Sequence, residues 1–340
     1  MKKYWLVFSL LSCLFIGFTV SFDQPVAFEV PKGWPIPTYN FKEHPLTENG
    51  IQLGRRLFYD PVLSLDSTIS CANCHTSFYA FTHVDHSISH GIGGRQGKRN
   101  SSALMNLAWS KQLMWDGAIS HLEVQALAPM ANADEMGETL EGVLAKLNAH
   151  PDYRGRFYRA FGDSAIGTQN LLNALTQFML TLVSNNSKYD SVMRKEAGVQ
   201  FTTAEKHGYR IYKKNCASCH TEPLFTNNEF RKNGMQVYRS LNDMGRMTIT
   251  HRSEDSLLFK VPTLRNLEFT FPYMHDGRFR RFSQFINHYS EGIQTGPTLS
   301  KELKGPLHFT QKEKDELTAF LLTLSDRWFI TNPLHAFPGE

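Results

Sequence analysis

The 340-residue sequence predicts a mainly α fold built as two domains, on three observations. Apolar residues recur at helical spacing in several stretches, strand signals are sparse, and a Cys-x-x-Cys-His motif occurs twice. The copies, Cys71-Ala72-Asn73-Cys74-His75 and Cys216-Ala217-Ser218-Cys219-His220, lie far enough apart for each to sit in its own domain.

Each copy supplies two thiols that can add to the vinyl groups of one heme and an adjacent imidazole that can ligate its iron. Paired Cys-x-x-Cys units also suit a four-thiolate zinc site or a redox dithiol. Neither requires a histidine directly after the second cysteine, yet both copies have one. The motifs therefore read as attachment sites for two covalent c-type hemes, held by Cys71, Cys74, Cys216 and Cys219 with His75 and His220 on the irons.

Taken in order, the chain opens with Lys2 and Lys3 ahead of an apolar run from Tyr4 to about Val20, then Ser21-Phe22-Asp23-Gln24. That pattern fits an export signal over residues 1–21, cleaved after Ser21. The run approaches the roughly 20 apolar residues of a spanning helix, so an uncleaved anchor stays open. Lipoprotein-type cleavage before Cys13 is the weaker option, because Leu14-Phe15-Ile16 continue the apolar run. All three readings place the mature chain outside the cytoplasm, in the periplasm. The remainder is long enough for two domains, expected at 22–190 and 191–340. A net charge of +4 without any Lys/Arg block points away from nucleic acid.

Gly54-Arg55-Arg56-Leu57-Phe58 ahead of the first motif and Gly208-Tyr209-Arg210-Ile211-Tyr212 ahead of the second form a weak internal repeat. Residues 83–100, rich in Gly, His and Ser, read as a long loop of the kind that often carries function. Helical periods cover 139–150 and 168–184, the latter apolar at Leu171, Leu172, Leu175, Phe178, Met179 and Leu182. The polar stretch 185–200 marks the expected boundary. Beyond it, Thr202 and Glu205 form a capping box that opens a helix running toward Cys216. This is the arrangement of a small cytochrome c fold. A second box at Thr310 and Glu313 opens a helix with Leu317, Phe320, Leu321 and Leu324 on one face, similar to the helix that closes such a domain. The fold expected is thus mainly α, with two cytochrome c-like domains carrying one covalent c-type heme each.

The segments flanking the motifs extend the likeness. They are Gly97-Lys98-Arg99-Asn100-Ser101, Trp115-Asp116-Gly117, Leu122-Glu123-Val124-Gln125, Glu135-Met136-Gly137, Val261-Pro262-Thr263-Leu264-Arg265-Asn266 and Phe271-Pro272-Tyr273-Met274-His275-Asp276-Gly277. Together they resemble the bacterial di-heme cytochrome c peroxidases, a family that includes the enzyme maturing methylamine dehydrogenase by oxidising its tryptophans. The resemblance covers roughly residues 45–325.

It implies that the N-terminal heme, with His75 as proximal ligand, is the peroxidatic one. Glu135 matches the catalytic acid, which moves a proton from the near to the leaving oxygen of hydrogen peroxide. Gln125 and Pro129 match other distal-pocket positions, and Trp115 matches the tryptophan between the hemes. Read without the resemblance, Glu135 is a solvated carboxylate, Trp115 a core aromatic and Asn100 a turn residue. With it, Asn100, Thr270 and Pro272 match an inter-heme calcium site of hard oxygen ligands.

The distal ligand of the second heme falls on Tyr289, where ordinary peroxidases have methionine and the maturation branch has tyrosine. A thioether favours ferrous iron and raises the potential, whereas a phenolate favours ferric and higher states. Met274 and Met247 are nearby alternatives that the register disfavours. His90, in Ser89-His90-Gly91, resembles the histidine that blocks the first heme until the second is reduced, although the loop to Asn100 is longer here. His83 and His86 share that loop.

The function implied is reduction of hydrogen peroxide to water, with electrons from a small cytochrome c or copper protein. Oxidation of residues in a partner protein, or di-heme electron carriage without peroxide chemistry, are the alternatives. Members of the family often dimerise, so a homodimer is an expectation without an interface signature in the sequence.

Overall fold

The structure, a computed structural model, describes residues 23–296 and 299–339; the expected leader and Cys13 lie outside them. Among the described residues the strands are two antiparallel pairs of two residues each. β1 (Pro25–Val26) pairs with β2 (Leu46–Thr47), and β3 (Phe230–Arg231) with β4 (Phe259–Lys260). Everything else of regular structure is helical, and no described helix is long and apolar enough to cross a membrane.

Helix α1 (Glu48–Tyr59) starts at Thr47, whose hydroxyl accepts the Gly50 amide. Helix α2 (Leu140–Ala149) matches the expected 139–150, with Thr139 as its cap. Helix α3 (Pro151–Phe161), not expected, has proline in its first turn, buried Tyr153, Phe157 and Ala160 on one face, and Gly162 at φ 74° after its end. Helix α4 (Thr168–Leu180) stops short of the expected Ser184, although Leu182 is still buried in the core beyond its end. Helices α5 (Thr203–Asn215) and α7 (Gln311–Leu322) both open on the capping boxes read from the sequence; α6 (Phe282–Asn287) lies between them.

The weak repeat now has a physical meaning. A β-carbon on Gly54 would sit 1.8 Å from the Ala174 carbonyl oxygen of α4, and one on Gly208 would sit 1.9 Å from the Glu316 carbonyl oxygen of α7. In each half, glycine lets the helix leading toward the heme motif press directly against its partner's backbone.

Two hydrophobic clusters result. The first gathers Leu53, Leu57 and Phe58 of α1 with Leu171, Leu175 and Phe178 of α4. The second gathers Tyr189, Tyr212, Phe225, Phe285 and Phe320. The polar stretch 185–200 contains a short helix, Lys188–Met193, with Tyr189 and Asp190 buried. After α7 the chain returns to the first cluster through Phe329. There Arg55 donates to the Pro333 and Ala336 carbonyls at 2.6 and 2.7 Å, and the Tyr59 hydroxyl to His335 O at 2.6 Å.

Buried polar groups join the halves. Asn266 donates to Ser184 Oγ at 2.9 Å and accepts the Asp326 amide at 2.8 Å, while Asn106 accepts the Ser184 amide at 2.9 Å. Arg265, fully buried, makes two 2.8 Å bonds to the Asp190 carboxylate and a third to Pro223 O. Each partner satisfies the other, as burial of charge requires.

Candidate functional site

The first motif forms a single helical turn, Cys71–Cys74, set by Ser70, whose amide and hydroxyl both bond Asn73 Oδ1. His75 follows, with Nδ1 2.9 Å from the Phe81 carbonyl. A carbonyl only accepts, so Nδ1 carries the proton and Nε2 keeps its lone pair for a metal. In the second motif His220 Nδ1 faces two carbonyls, Pro262 O at 3.0 Å and Phe225 O at 3.2 Å. Burial pushes both imidazoles below the usual range, His220 to about 4, so they stay neutral. All four motif cysteines are free thiols. Among the described residues no group of three or more His, Cys, Asp or Glu is placed to hold a metal ion, which removes the four-thiolate zinc reading. Two free thiols beside an oriented, neutral imidazole, present twice, fit two hemes.

Glu135 stands at the end of a tight turn after the helix Leu127–Ala131. Its amide bonds Asn132 O at 2.9 Å, and its Oε1 accepts from Asn132 Nδ2 at 2.7 Å. Burial raises its carboxyl above the ordinary value, opposed by the Asn132 bond and reinforced by Asp134. Its charge also raises the Cys71 and Cys74 thiols, to about 12 and 11, after burial as the main cause. Glu135 is thus within electrostatic reach of the first motif. Pro129 belongs to that helix, its carbonyl accepting the Met136 amide at 3.2 Å, and Gln125 directs its amide nitrogen toward Met114 Sδ at 3.7 Å.

The His90 loop lies against this turn. Ile92 donates its amide to Glu135 O at 2.8 Å, and Cys74 Sγ is 3.9 Å from His90 O. The His90 ring packs on His86 at 4.4 Å, and His86 stacks on His83 at 5.2 Å. Gln96 Nε2 donates to His90 Nε2 at 2.7 Å.

Trp115 bridges the halves. Its indole donates to Asn100 O at 2.8 Å, its carbonyl accepts the Lys260 amide at 2.7 Å, and its ring meets His275 edge-on at 6.5 Å. Asn100, buried, donates its own amide to His275 O at 2.7 Å, on the segment that also carries Thr270 and Pro272. Beside them Arg99 holds Asp243 with two bonds, at 2.6 and 2.8 Å, and Asp116 with one at 2.6 Å.

Tyr289 lies in the turn His288–Gly292. Burial pushes its phenol up to about 12; Asn233 bonds it and opposes the rise, and Cys216 and Cys219 add to it, so Tyr289 is within electrostatic reach of the second motif. Asn233 Nδ2 is also 3.7 Å from Met274 Sδ, so the tyrosine and one alternative ligand share a neighbour.

Sequence reading missed Gly91, Asn132 and Asn233. For Asn132 the signal was present, an asparagine three residues ahead of a glutamate. The other two act through distant segments and left none.

A mainly helical frame carrying two such thiol and imidazole sites defines a di-heme protein of the c-type class. The sequence profile described as di-haem cytochrome c peroxidase matches residues 48–198. The methylamine utilization protein MauG of Methylorubrum extorquens is 34% identical, over 87% of this chain and 83% of its own. Cytochrome c551 peroxidase of Nitrosomonas europaea is 34% identical, over 81% and 79%. The crystal structure of a MauG-like protein associated with microbial copper homeostasis superposes with a TM-score of 0.82 at 32% identity, covering 92% of this chain and 99% of that one. The chain belongs to the di-haem cytochrome c peroxidase family, and its relatives carry both peroxidase and MauG names.

Proposed function

We propose that this protein is a periplasmic peroxidase that reduces hydrogen peroxide to water with electrons from a small cytochrome c or copper protein. Its hemes would be held covalently by Cys71 and Cys74 in domain 22–190 and by Cys216 and Cys219 in domain 191–340. When bound, they supply the iron that takes up peroxide and stores oxidising equivalents. Glu135 holds and returns the peroxide proton, and the observation that carries the reading is this half-buried carboxyl, raised by burial and within electrostatic reach of the first motif. Gln125 and Pro129 would complete the peroxide site around it. Trp115 connects the halves through hydrogen bonds on both sides, the position an electron relay needs. Asn100, which accepts the Trp115 indole hydrogen bond, would supply one hard oxygen for calcium, and Thr270 and Pro272 the others.

A second reading, oxidation of residues in a partner protein, is favoured by Tyr289 near the second motif, because on iron its phenolate would stabilise ferric and higher states. Steady-state oxidation of a reduced cytochrome by peroxide separates the two. For Glu135 itself, Glu135→Gln should keep both heme spectra while turnover falls about 10²- to 10⁴-fold; near-normal turnover would remove its role.

A further inference from the structure

Three tyrosines gather near His220, two of them on one carboxylate. Tyr212, fully buried, donates its hydroxyl to the His220 carbonyl, and its ring stacks on Tyr209 with centroids 6.1 Å apart at 16°. Tyr209, half-buried, donates to Glu222 Oε1 at 2.8 Å, and Tyr189 donates to the same oxygen at 2.6 Å. Lys213 Nζ holds Oε2 at 2.7 Å. Packing alone does not call for phenols here, since neighbouring Phe201, Phe225 and Phe320 fill the same cluster without them. What hydroxyls bonded to a carboxylate add is one-electron chemistry. Removing an electron from a phenol makes its O–H strongly acidic, and a carboxylate already accepting that hydrogen bond takes the proton without rearrangement.

The geometry points to a tyrosine relay, Tyr212 to Tyr209 with Glu222 as proton acceptor, that carries an oxidising equivalent from the second heme to the protein surface. The inference rests on the peroxidatic reading above. One electron passes from the Tyr209 phenol through Tyr212 to the peroxide-oxidised heme centre at His220, while the phenolic proton moves to Glu222 Oε1. The products are a neutral tyrosyl radical at Tyr209, a protonated Glu222 and a heme centre reduced by one electron. A one-electron reductant such as a phenol then returns the electron at the surface and loses its own proton to solvent, while Glu222 returns its proton to Tyr209. The partly open Tyr209 edge thereby serves reductants too bulky to reach either heme.

The test is freeze-quench EPR with optical spectroscopy of the holo-protein after stoichiometric hydrogen peroxide, followed by nitrone trapping and peptide mass spectrometry. Expected is a tyrosyl radical whose adduct maps to Tyr209. Tyr209→Phe keeps the ring and its packing, and should abolish that radical while leaving peroxide oxidation of the hemes unchanged. Glu222→Gln should lower the radical yield by removing the base. Hemes that oxidise without a tyrosyl radical, or with one that survives Tyr209→Phe, overturn the relay alone. Hemes that do not oxidise at all overturn the peroxidatic reading and the relay with it.

Discussion

Gly91→Ala is the sharpest probe of how the His90 loop supports Glu135. Gly91 has φ −103°, a conformation any residue adopts, so the cost is purely one of space. Its added methyl would lie 2.3 Å from the carbonyl oxygens of Asp134 and Glu135 and 2.4 Å from Glu135 Cα. That is roughly 1 Å short of the 3.4 Å at which ordinary contact begins, and every atom it meets is backbone. The loop must retreat from the turn, which stretches the 2.8 Å bond from the Ile92 amide to Glu135 O. Overpacking costs about 1–3 kcal/mol, and a lost hydrogen bond about 1 kcal/mol more. At about 2 °C per kcal/mol for a chain of this size, the melting temperature should fall by several degrees. A displacement of about 1 Å at a reacting group can cost on the order of 10²-fold in rate, so peroxide turnover should fall far more than stability does. Gly97→Ala in the same loop is the control, because its nearest neighbour would be Ile88 Cγ2 at 3.9 Å. The assays are calorimetry and cytochrome-coupled peroxide reduction on both variants. Wild-type melting and turnover in Gly91→Ala would refute the claim that this contact positions Glu135.

Asp190→Asn leaves the buried Arg265 guanidinium without its counter-charge and should cost about 3–5 kcal/mol by denaturant unfolding; a loss under about 1 kcal/mol would show the pair to be replaceable. Burial works against the Asp190 carboxylate, but Arg265 holds it below the usual range. Its stabilisation is therefore full above the ordinary carboxylate pKa of about 3.9 and disappears as pH falls through the depressed value. Glu135 has the opposite sign: its raised carboxyl stays protonated longer, so turnover that needs the carboxylate falls on the acid side. Asn132→Ala removes the bond that opposes the rise and should move that acid limb toward neutrality, whereas an unmoved pH–rate profile would exclude Glu135 as the titrating group. Chelation of the purified protein should lower turnover, with recovery on adding calcium; full activity in protein shown calcium-free by elemental analysis would sink the calcium assignment.

Where the sequence was legible, local chemistry dictated the outcome. The capping boxes at Thr202 and Thr310 open helices because serine and threonine hydroxyls and a glutamate three residues on satisfy the first amides of any helix. The thiol and imidazole motifs are contiguous, so their placement survived folding intact. What stayed hidden depends on segments far apart in the chain. Arg265 is a charged residue among mixed neighbours, and nothing local tells that it is fully buried against Asp190. The glycine pair, Gly54 and Gly208, was visible as a repeat, but its cause lay in carbonyls of α4 and α7. Helix α3 was missed although its apolar residues recur at helical spacing, because Arg154, Arg156 and Arg159 dominate its composition.

The return of the chain to the first cluster reverses the usual order of assembly. Domains tend to fold as they are synthesised, from the N-terminus onward. Here the surface around Phe81 is closed by Phe329 and His335, at ring distances of 5.7 and 5.9 Å, and Arg55 finds its carbonyl partners only at Pro333 and Ala336. The half that begins first is closed by residues that follow the second half in the sequence, so its core cannot be completed until that later segment has joined it.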